Sequence, residues 1–314
     1  DKVVAWLHFG RSGTGLLHSL IDGHPEISTL PSIYLRGYFN AGVWDKISAN
    51  GWRELPDRFA NEFAVLFDAQ SSQPIPSRLG ETSFPIGKNE GMTSVGENRN
   101  ESLSLDRDAF CSEALRLLEG LEMVDPMSFF LIVHAAFEKV MGTETTKRLC
   151  FYHIHNPDDF AKPNFLRYAP DARLVIMVRE PIQSCESWVR VSFKENNYDN
   201  VTHRILGMLF GIDQVEFRMR ESIGVRLEDL KTRPKATVQS LCAWLGVKET
   251  PSLYQATAQG KKWWGDPSSP EYEANKDMSP FYKSSINRAT GAVFSDKDQF
   301  VLGTLFHPFS VRFG

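Results

Sequence analysis

The segment that most constrains the fold is an apolar run that passes through a glycine-rich turn into a helical pattern. The run is Val3–Leu7, the turn is Gly10–Gly15 (GRSGTG), and Leu16-Leu17 begin the helical pattern. A strand, a tight turn and a helix N-terminus in this order direct backbone N–H groups and the positive end of the helix dipole at one anion. The sequence therefore predicts an anion-binding loop after this strand.

The loop differs from a nucleoside-triphosphatase loop at two positions. That loop reads G-x-x-x-x-G-K-[ST], in which the Lys reaches the outer phosphates and the hydroxyl binds Mg²⁺. Gly10 and Gly15 keep the spacing, but Leu16 and Leu17 stand where the Lys and the hydroxyl would be. The loop is suited to hold a phosphate and poorly equipped for metal-assisted phosphoryl transfer, so we expect no metal site.

Composition limits the class of protein. The 314 residues are 42% hydrophobic, which allows a sizeable core, and the net charge of −4 argues against a dedicated nucleic-acid binder. The longest apolar stretch, Phe129–Val133, ends at His134 and is far shorter than the roughly 18 residues of a membrane span. We expect a cytoplasmic protein without a membrane span. The Golgi lumen and a place in a larger protein, with a further domain outside this sequence, stay open.

The four cysteines lie far apart and without metal-ligand spacing, which favours buried free thiols over disulfides. They are Cys111, Cys150, Cys185 and Cys242.

Strand-like runs alternate with helical patterns, which predicts an α/β fold: three layers, with a mainly parallel central sheet flanked by helices. Ligands of such sheets bind where the strands end at their carboxyl side. The strands are expected at Val3–Leu7, Leu149–Ile154, Leu174–Val178 and Ile223–Leu227. The helices are expected at Leu16–Gly23, Trp52–Ala69, Arg107–Leu121, Met127–Met141, Pro157–Tyr168, Pro181–Phe193, Val201–Arg220, Pro234–Gly246 and Ser295–His307.

Two stretches, Gln70–Ser104 and Lys261–Asp277, show no periodicity. Long loops in compact domains are usually functional or disordered. We expect a single domain over residues 1–314, with a lid or insertion at about 33–110 and a C-terminal flap at about 260–290. The adjacent Trp263 and Trp264 either dock this flap over a site or pin a loop to the surface.

A second candidate anion site follows the apolar run that ends at Val178. Arg179 stands at the end of this strand, and Ser187 follows eight residues later, about two helical turns along the next element. The Arg could grip a phosphate by a forked, charge-assisted contact, with the Ser beside it. The alternative is a surface ion pair of Arg179 with Glu180 or Glu186.

Together the two sites resemble those of the sulfotransferase family, whose donor is 3′-phosphoadenosine 5′-phosphosulfate (PAPS). Four pieces carry the resemblance in the family's order. They are Gly10–Leu17 (the 5′-phosphosulfate loop), Arg179–Ser187 (the 3′-phosphate motif), Val225–Pro234 with a helix that ends Trp244-Leu245-Gly246 (the late strand-and-helix signature), and Phe281–Ser285 with Ser295-Asp296 (the segment that closes over the 3′-phosphate).

The resemblance implies a P-loop-like sulfotransferase fold and in-line transfer of a sulfuryl group from PAPS to an acceptor hydroxyl, on a small molecule or a carrier. The product is 3′-phosphoadenosine 5′-phosphate (PAP). Sulfuryl transfer needs no metal, and Arg11 would stabilise the departing phosphate oxygen. Gly10 and Gly15 depart from the family's common proline and threonine, so one hydroxyl contact is missing. The donor would be held by Gly10, Arg11, Ser12, Gly13, Thr14, Gly15, Leu16, Arg179, Ser187 and Lys283.

The catalytic base is expected just after the second strand. Tyr152–Pro157 resembles the K-T-H-x-P stretch of small-molecule sulfotransferases, which makes His155 the base and puts His153 at the lysine position. Imidazole titrates near neutral pH and can deprotonate an attacking hydroxyl. Other branches carry a glutamate base about 21 residues after the loop arginine, where this chain has Leu30-Pro31-Ser32.

Several alternatives for the histidines stay open. His153 or Glu81 could be the base, His155 could bond only to backbone, and the His-x-His pair could bind a metal, because alternate strand residues share a face. His18 and His24 fit a helix surface and a turn, respectively.

Two other functions also stay open. One is a nucleotide or small-molecule kinase, which would bind ATP with Mg²⁺. The other is a non-catalytic module that binds PAP or PAPS without turnover. The acceptor has no readable code, although aromatic residues suggest a ring-bearing acceptor or, equally, the core of a lid. These aromatics are Tyr34, Tyr38, Phe39 and Trp44.

Overall fold

A five-stranded, fully parallel sheet lies at the centre of the computed structural model. The structure describes residues 2–8, 11–32, 35, 37–77, 80–143, 147–154, 161–212, 220–267, 269, 272 and 279–314. The strand order is β2-β5-β1-β6-β7, with β1 Lys2–His8, β2 Ile27–Ser28, β5 Leu149–Ile154, β6 Arg173–Val178 and β7 Ser222–Arg226. Two antiparallel hairpins stand apart from it, β3–β4 (Gln73–Ser77, Gly80–Phe84) and β8–β9 (Thr257–Ala258, Lys261–Lys262).

The sheet is buried on both faces, as its apolar strands predict. Alternate residues of β1 enter two different clusters: Val4 and Trp6 pack on one side, Ala5 and Leu7 on the other. This alternation confirms the three-layer α/β arrangement. The α-helices are α1 Thr14–Ile21, α2 Ala41–Ser48, α3 Leu55–Glu62, α4 Ile86–Asn89, α5 Arg107–Leu118, α6 Pro126–Met141, α7 Ala161–Tyr168, α8 Pro181–Lys194, α9 Tyr198–Ile212, α10 Leu227–Thr232, α11 Pro234–Leu245, α12 Asp296–Leu305 and α13 His307–Phe313.

Parallel register brings the carboxyl ends of the central strands to one edge. Leu7 of β1 pairs with Ile154 of β5 and with Ile176 of β6, while Val178 pairs with Arg226 of β7. The carboxyl ends of β1, β5 and β6 therefore lie side by side, at the edge of the sheet that the two predicted anion sites follow.

Several helix predictions were wrong in extent, among them that of α5, which ends at Leu118 and not at Leu121. The helix expected over Trp52–Ala69 is broken at Phe63 (φ −114°, ψ 45°), so α3 is followed by a separate 3₁₀ turn. The helix expected to end at His307 ends at Leu305, and a separate helix, α13, follows with Pro308 in its first turn. Helix α9 begins at Tyr198, three residues earlier than expected, and residues 213–219 lie outside the described part.

The stretch Gln70–Ser104 is not irregular throughout, since it holds the β3–β4 hairpin and α4. Helix α2, which the sequence did not indicate, is capped by Asn40, whose side chain accepts from the Gly42 amide. Tyr38 and Phe39 are buried against Phe130 and belong to the core. Of the four aromatics named above, Tyr38 and Phe39 therefore belong to the core and Trp44 packs against it, whereas Tyr34 lies outside the described residues.

The cysteine prediction is confirmed: all four thiols are free, and three are buried. In the described part of the chain, every helix is too short or too polar to cross a bilayer.

Candidate functional site

The loop after β1 is built to leave backbone N–H groups open. Gly13 caps α1 in the left-handed conformation (φ 88°, ψ 24°), which favours glycine, and a methyl group there would lie 2.7 Å from Cδ1 of Leu227. Because Gly13 has no side chain, no cap bond occupies the first-turn amides of α1. Ser12 is fully buried and its Oγ lies 3.5 Å from Oγ1 of Thr14, so both side chains brace the turn. The arrangement can hold an anion at the start of α1.

Arg11 already contacts a carboxylate. Its Nη2 lies 3.1 Å from Oδ2 of Asp266, and both side chains are about one-third exposed. Asp266 comes from the C-terminal flap, 255 residues further along the chain. The predicted basic residue of the loop is therefore placed where it attracts a negatively charged oxygen.

A second acid lies near this pair. Burial and the neighbouring Asp266 raise the pKa of Glu90 to about 7, against the opposing effect of Arg11. Neither acid could be predicted from the sequence, because both belong to segments that are distant from Arg11 along the chain.

Arg179 is buried and joins three segments of the site. Its Nη1 donates to the Arg11 carbonyl (3.4 Å), and its Nη2 donates to Gln183 Oε1 (3.0 Å) and to the Ser285 carbonyl (2.6 Å). With 5% of its surface exposed, it is not a surface ion-pair residue, so that alternative was wrong. Arg179 thus links the end of β6 directly to the anion-binding loop after β1.

The tail segment that covers Arg179 is fixed by a buried lysine. Lys231 Nζ donates to the Pro280 carbonyl (2.9 Å) and lies 3.5 Å above the ring of Tyr282. The predicted Lys283 follows, exposed at the start of a 3₁₀ turn that contains Ser285. Ser187 is half-buried on α8. The structure gives the positions of Ser187 and Lys283, and their predicted roles stay predictions.

The histidine of β5 that the structure describes is His153. Its Nδ1 lies 3.2 Å from Oγ of Ser32, and its ring stacks on Trp6 at 5.5 Å between centroids. His155 lies outside the described residues, as does Gly10. The structure therefore tests neither the predicted base nor the metal-pair alternative. For Glu81, it gives the strand position in β4 only.

The other two histidines differ in how well they were predicted. His18 is buried, its ring stacks on Trp6 at 5.7 Å between centroids and lies 6.4 Å from the ring of His153, so the helix-surface prediction was wrong. Burial lowers the pKa of His18. His24 has the predicted turn role: its Nδ1 accepts from the Glu26 amide, so its Nε2–H donates to the Lys248 carbonyl (2.8 Å).

A narrow cavity opens beside the start of α1. It measures about 10 Å³, roughly enough for one water molecule. Its wall includes Gly15, His18, Ser32, Glu90 and Trp263. Polar groups that can exchange protons therefore surround a space directly next to the anion loop.

The two indoles of the flap are both buried, and both pin it to the segment after α4. Trp263 Nε1 donates to the Glu90 carbonyl (2.9 Å), and Trp264 Nε1 donates to the Gly96 carbonyl (2.6 Å). Trp263 also borders the cavity. Both indoles therefore pin the flap, and docking of the flap over a site stays a prediction.

A comparison with known proteins identifies the family. A sequence model described as the sulfotransferase family matches residues 9–251. No curated protein matches the chain significantly.

Three solved structures resemble the chain at low identity. The sulfotransferase domain from the Synechococcus PCC 7002 olefin synthase is 15% identical, covers 98% of this chain and 95% of its own, and has a TM-score of 0.47. The sulfotransferase domain from the curacin biosynthetic pathway is 12% identical, with 98% of each chain covered and a TM-score of 0.42. The sulfotransferase STF9 from Mycobacterium avium is 10% identical, covers 100% of this chain and 77% of its own, and has a TM-score of 0.46.

Proposed function

The chain belongs to the sulfotransferase family, and we propose that it transfers a sulfuryl group from PAPS to the hydroxyl of a small-molecule or carrier-bound acceptor. The observation that carries this proposal is the direct link between two arginines, Arg11 beside the open N-terminus of α1 and Arg179 at the end of β6. Two cationic groups held at neighbouring strand ends match a ligand with a phosphate at each end.

The residues present fit such a ligand. Each arginine is already paired with oxygen atoms, Arg11 with a carboxylate and Arg179 with a carbonyl and an amide oxygen. Phosphate oxygens offer the same acceptor chemistry with more charge. Arg11, Thr14 and the loop amides would hold the 5′-phosphosulfate, while Arg179, Ser187 and Lys283 would hold the 3′-phosphate.

PAPS, when bound, would supply a sulfuryl group whose bond to the 5′-phosphate oxygen breaks as the acceptor oxygen bonds to sulfur. Arg11 and the first-turn amides of α1 would stabilise the charge on the departing oxygen. A histidine at the end of β5 would take the hydroxyl proton. His155 is our first candidate by its family match, and His153 is the second, because its ring contacts Ser32 at the cavity.

The donor site is tested by calorimetry with PAP. Arg179→Gln should weaken PAP binding by roughly 10- to 100-fold, because a hydrogen bond to a charged group is worth about 1.5–3 kcal/mol. Arg173→Gln is the matched control, since Arg173 starts the same strand and donates to the Trp244 carbonyl at the sheet's other edge. PAP affinity that is unchanged in Arg179→Gln would contradict the proposed 3′-phosphate site.

Transfer is tested with radiolabelled PAPS and a panel of phenols, sugars, carrier-bound hydroxyls and tyrosine peptides. Loss of the true base should reduce turnover by about 10²- to 10⁴-fold at preserved PAP affinity. Alanine variants of His155 and His153 are compared side by side, and the variant that loses turnover identifies the base. Binding of PAP without transfer to any acceptor would indicate a non-catalytic module, and a preference for ATP with Mg²⁺ would indicate a kinase.

A further inference from the structure

Trp263 packs directly on the anion loop. A methyl group on Gly15 would lie 3.7 Å from Cζ2 of this indole, an ordinary van der Waals contact, and 3.3 Å from Cη2, which is a few tenths of an ångström too close. Gly15 is the second residue of α1, where alanine would favour the helix by about 1 kcal/mol. A glycine at this helical position therefore needs a reason, and the indole supplies it.

The indole cannot easily move away from Gly15. Its backbone N–H donates to the Ala256 carbonyl and its Nε1 donates to the Glu90 carbonyl, both at 2.9 Å. On the other side a methyl group at Gly91 would lie 3.3 Å from Nε1. The ring is thus wedged between two glycines from different segments.

The far end of α1 fixes the hairpin that carries Trp263. Asp22 follows α1, and its Oδ2 accepts from Thr257 Oγ1 (2.9 Å) and from the Gly260 amide (3.0 Å). The helix that begins at the anion loop therefore also anchors β8–β9. Loop, helix and indole form one continuous support.

We propose that Trp263 is a specificity-determining residue that fills the space over Gly15 and separates the anion loop from bulk solvent. This inference rests on the proposed sulfuryl transfer. The indole ring separates the sulfuryl end of the donor from solvent on the side of the cavity, so that an acceptor hydroxyl, rather than water, reaches the sulfur. Gly15 lacks the hydroxyl of the family's common threonine, and the apolar ring of Trp263 occupies the space beside it instead.

Trp264 provides a matched control in the adjacent position. It is also buried and donates Nε1 to a backbone carbonyl, and the guanidinium of Arg99 (4.3 Å) and Nζ of Lys262 (4.0 Å) flank its ring. Within the described residues, Trp264 lines neither the cavity nor the space over Gly15. Both indoles pin the flap, and among the described residues the ring of Trp263 is the one that lies over Gly15.

The first measurement is sulfate release from PAPS without an acceptor, a reaction in which water attacks sulfur and PAP, sulfate and a proton are formed. Trp263→Leu should raise this rate at least about fivefold while PAP affinity stays within about threefold, because water gains access to the sulfuryl end. Trp264→Leu should leave the rate unchanged. Trp263→Phe, which shortens the ring but keeps apolar bulk, takes the place of the leucine variant if that protein does not fold.

The second measurement is a double-mutant cycle on PAP affinity. Gly15→Ala should weaken binding by about tenfold in the wild type and in Trp264→Leu, but by less than about threefold in Trp263→Leu, because the methyl group then has room. Equal hydrolysis rates in the two tryptophan variants, or equal losses from Gly15→Ala in all three backgrounds, would overturn the inference. If the wild-type protein binds PAP and transfers the sulfuryl group, the proposed function stands whatever the tryptophan variants do. If the wild type does not bind PAP, both the proposed function and the inference about Trp263 are contradicted.

Discussion

His134 should make the stability of this protein fall in mild acid. It is 1% exposed in α6, and its Nδ1 lies 2.7 Å from Oγ of Ser28. Because Ser28 donates its only hydroxyl proton to Glu138 Oε1 (2.7 Å), the histidine Nδ1–H must donate to Ser28. In the described part of the chain, the buried Nε2 has no hydrogen-bond partner, so protonation would bury an unpaired N–H.

Burial, together with the charge of Lys147, lowers the pKa of His134 from 6.5 to about 3. Between these two pH values, His134 is protonated in the unfolded chain but not in the folded chain. The free energy of unfolding therefore has its full value above about pH 6.5 and decreases as the pH drops from about 6.5 to about 3. With 1.36 kcal/mol for each pKa unit, the loss at pH 5 is about 2 kcal/mol relative to pH 8.

The assay is urea unfolding, followed by tryptophan fluorescence at about pH 8 and about pH 5, on the wild type and His134→Gln. The glutamine variant should lose about 2 kcal/mol less between the two pH values, because its side chain does not titrate. His203→Gln, at an exposed position of α9, is the control and should keep the wild-type pH dependence. If His134→Gln loses as much stability as the wild type, His134 is not a source of acid sensitivity and the reasoning is refuted.

Two further predictions concern the anion loop. Gly13→Ala should destabilise the protein by about 1–3 kcal/mol, since its φ of 88° and the nearby Leu227 side chain both oppose a methyl group; thermal unfolding at neutral pH measures this, and an unchanged midpoint would contradict it. Asp266→Asn should tighten PAP binding up to about fivefold at low salt, because Arg11 loses a partly exposed ionic partner, and this gain in affinity should be smaller at high salt. Weaker PAP binding in this variant would instead mean that Asp266 orients Arg11.

The central strands could be predicted because each is a short apolar run bounded by loop residues. Strand β5 was predicted to the residue, and β6 was missed by one residue at its start. The edge strand Ile27–Ser28 is too short to show a pattern. In β3, Pro74 and Pro76 argue against a strand, since proline cannot donate to a ladder, yet both lie in the two-stranded hairpin.

For the candidate site, too, some residues could be predicted from the sequence and others could not. The loop residues and Arg179 could be predicted, because a turn and a strand end are local features of the sequence. Their partners could not, since Asp266 reaches Arg11 across 255 residues and the Ser285 carbonyl reaches Arg179 across 106. No local pattern encodes which distant carboxylate or carbonyl meets a given arginine, because tertiary packing decides it.

The central strand of the sheet, β1, precedes the other four strands of the sheet in the sequence. During synthesis on the ribosome, β1 must wait for both of its neighbours, because Lys2 pairs with Leu149 and Val4 with Arg173. Until about residue 154 has emerged, neither of these partner strands is present, and the second one is complete only at about residue 178. Such late, non-local pairing slows folding and leaves the apolar run of β1 exposed to aggregation during the interval.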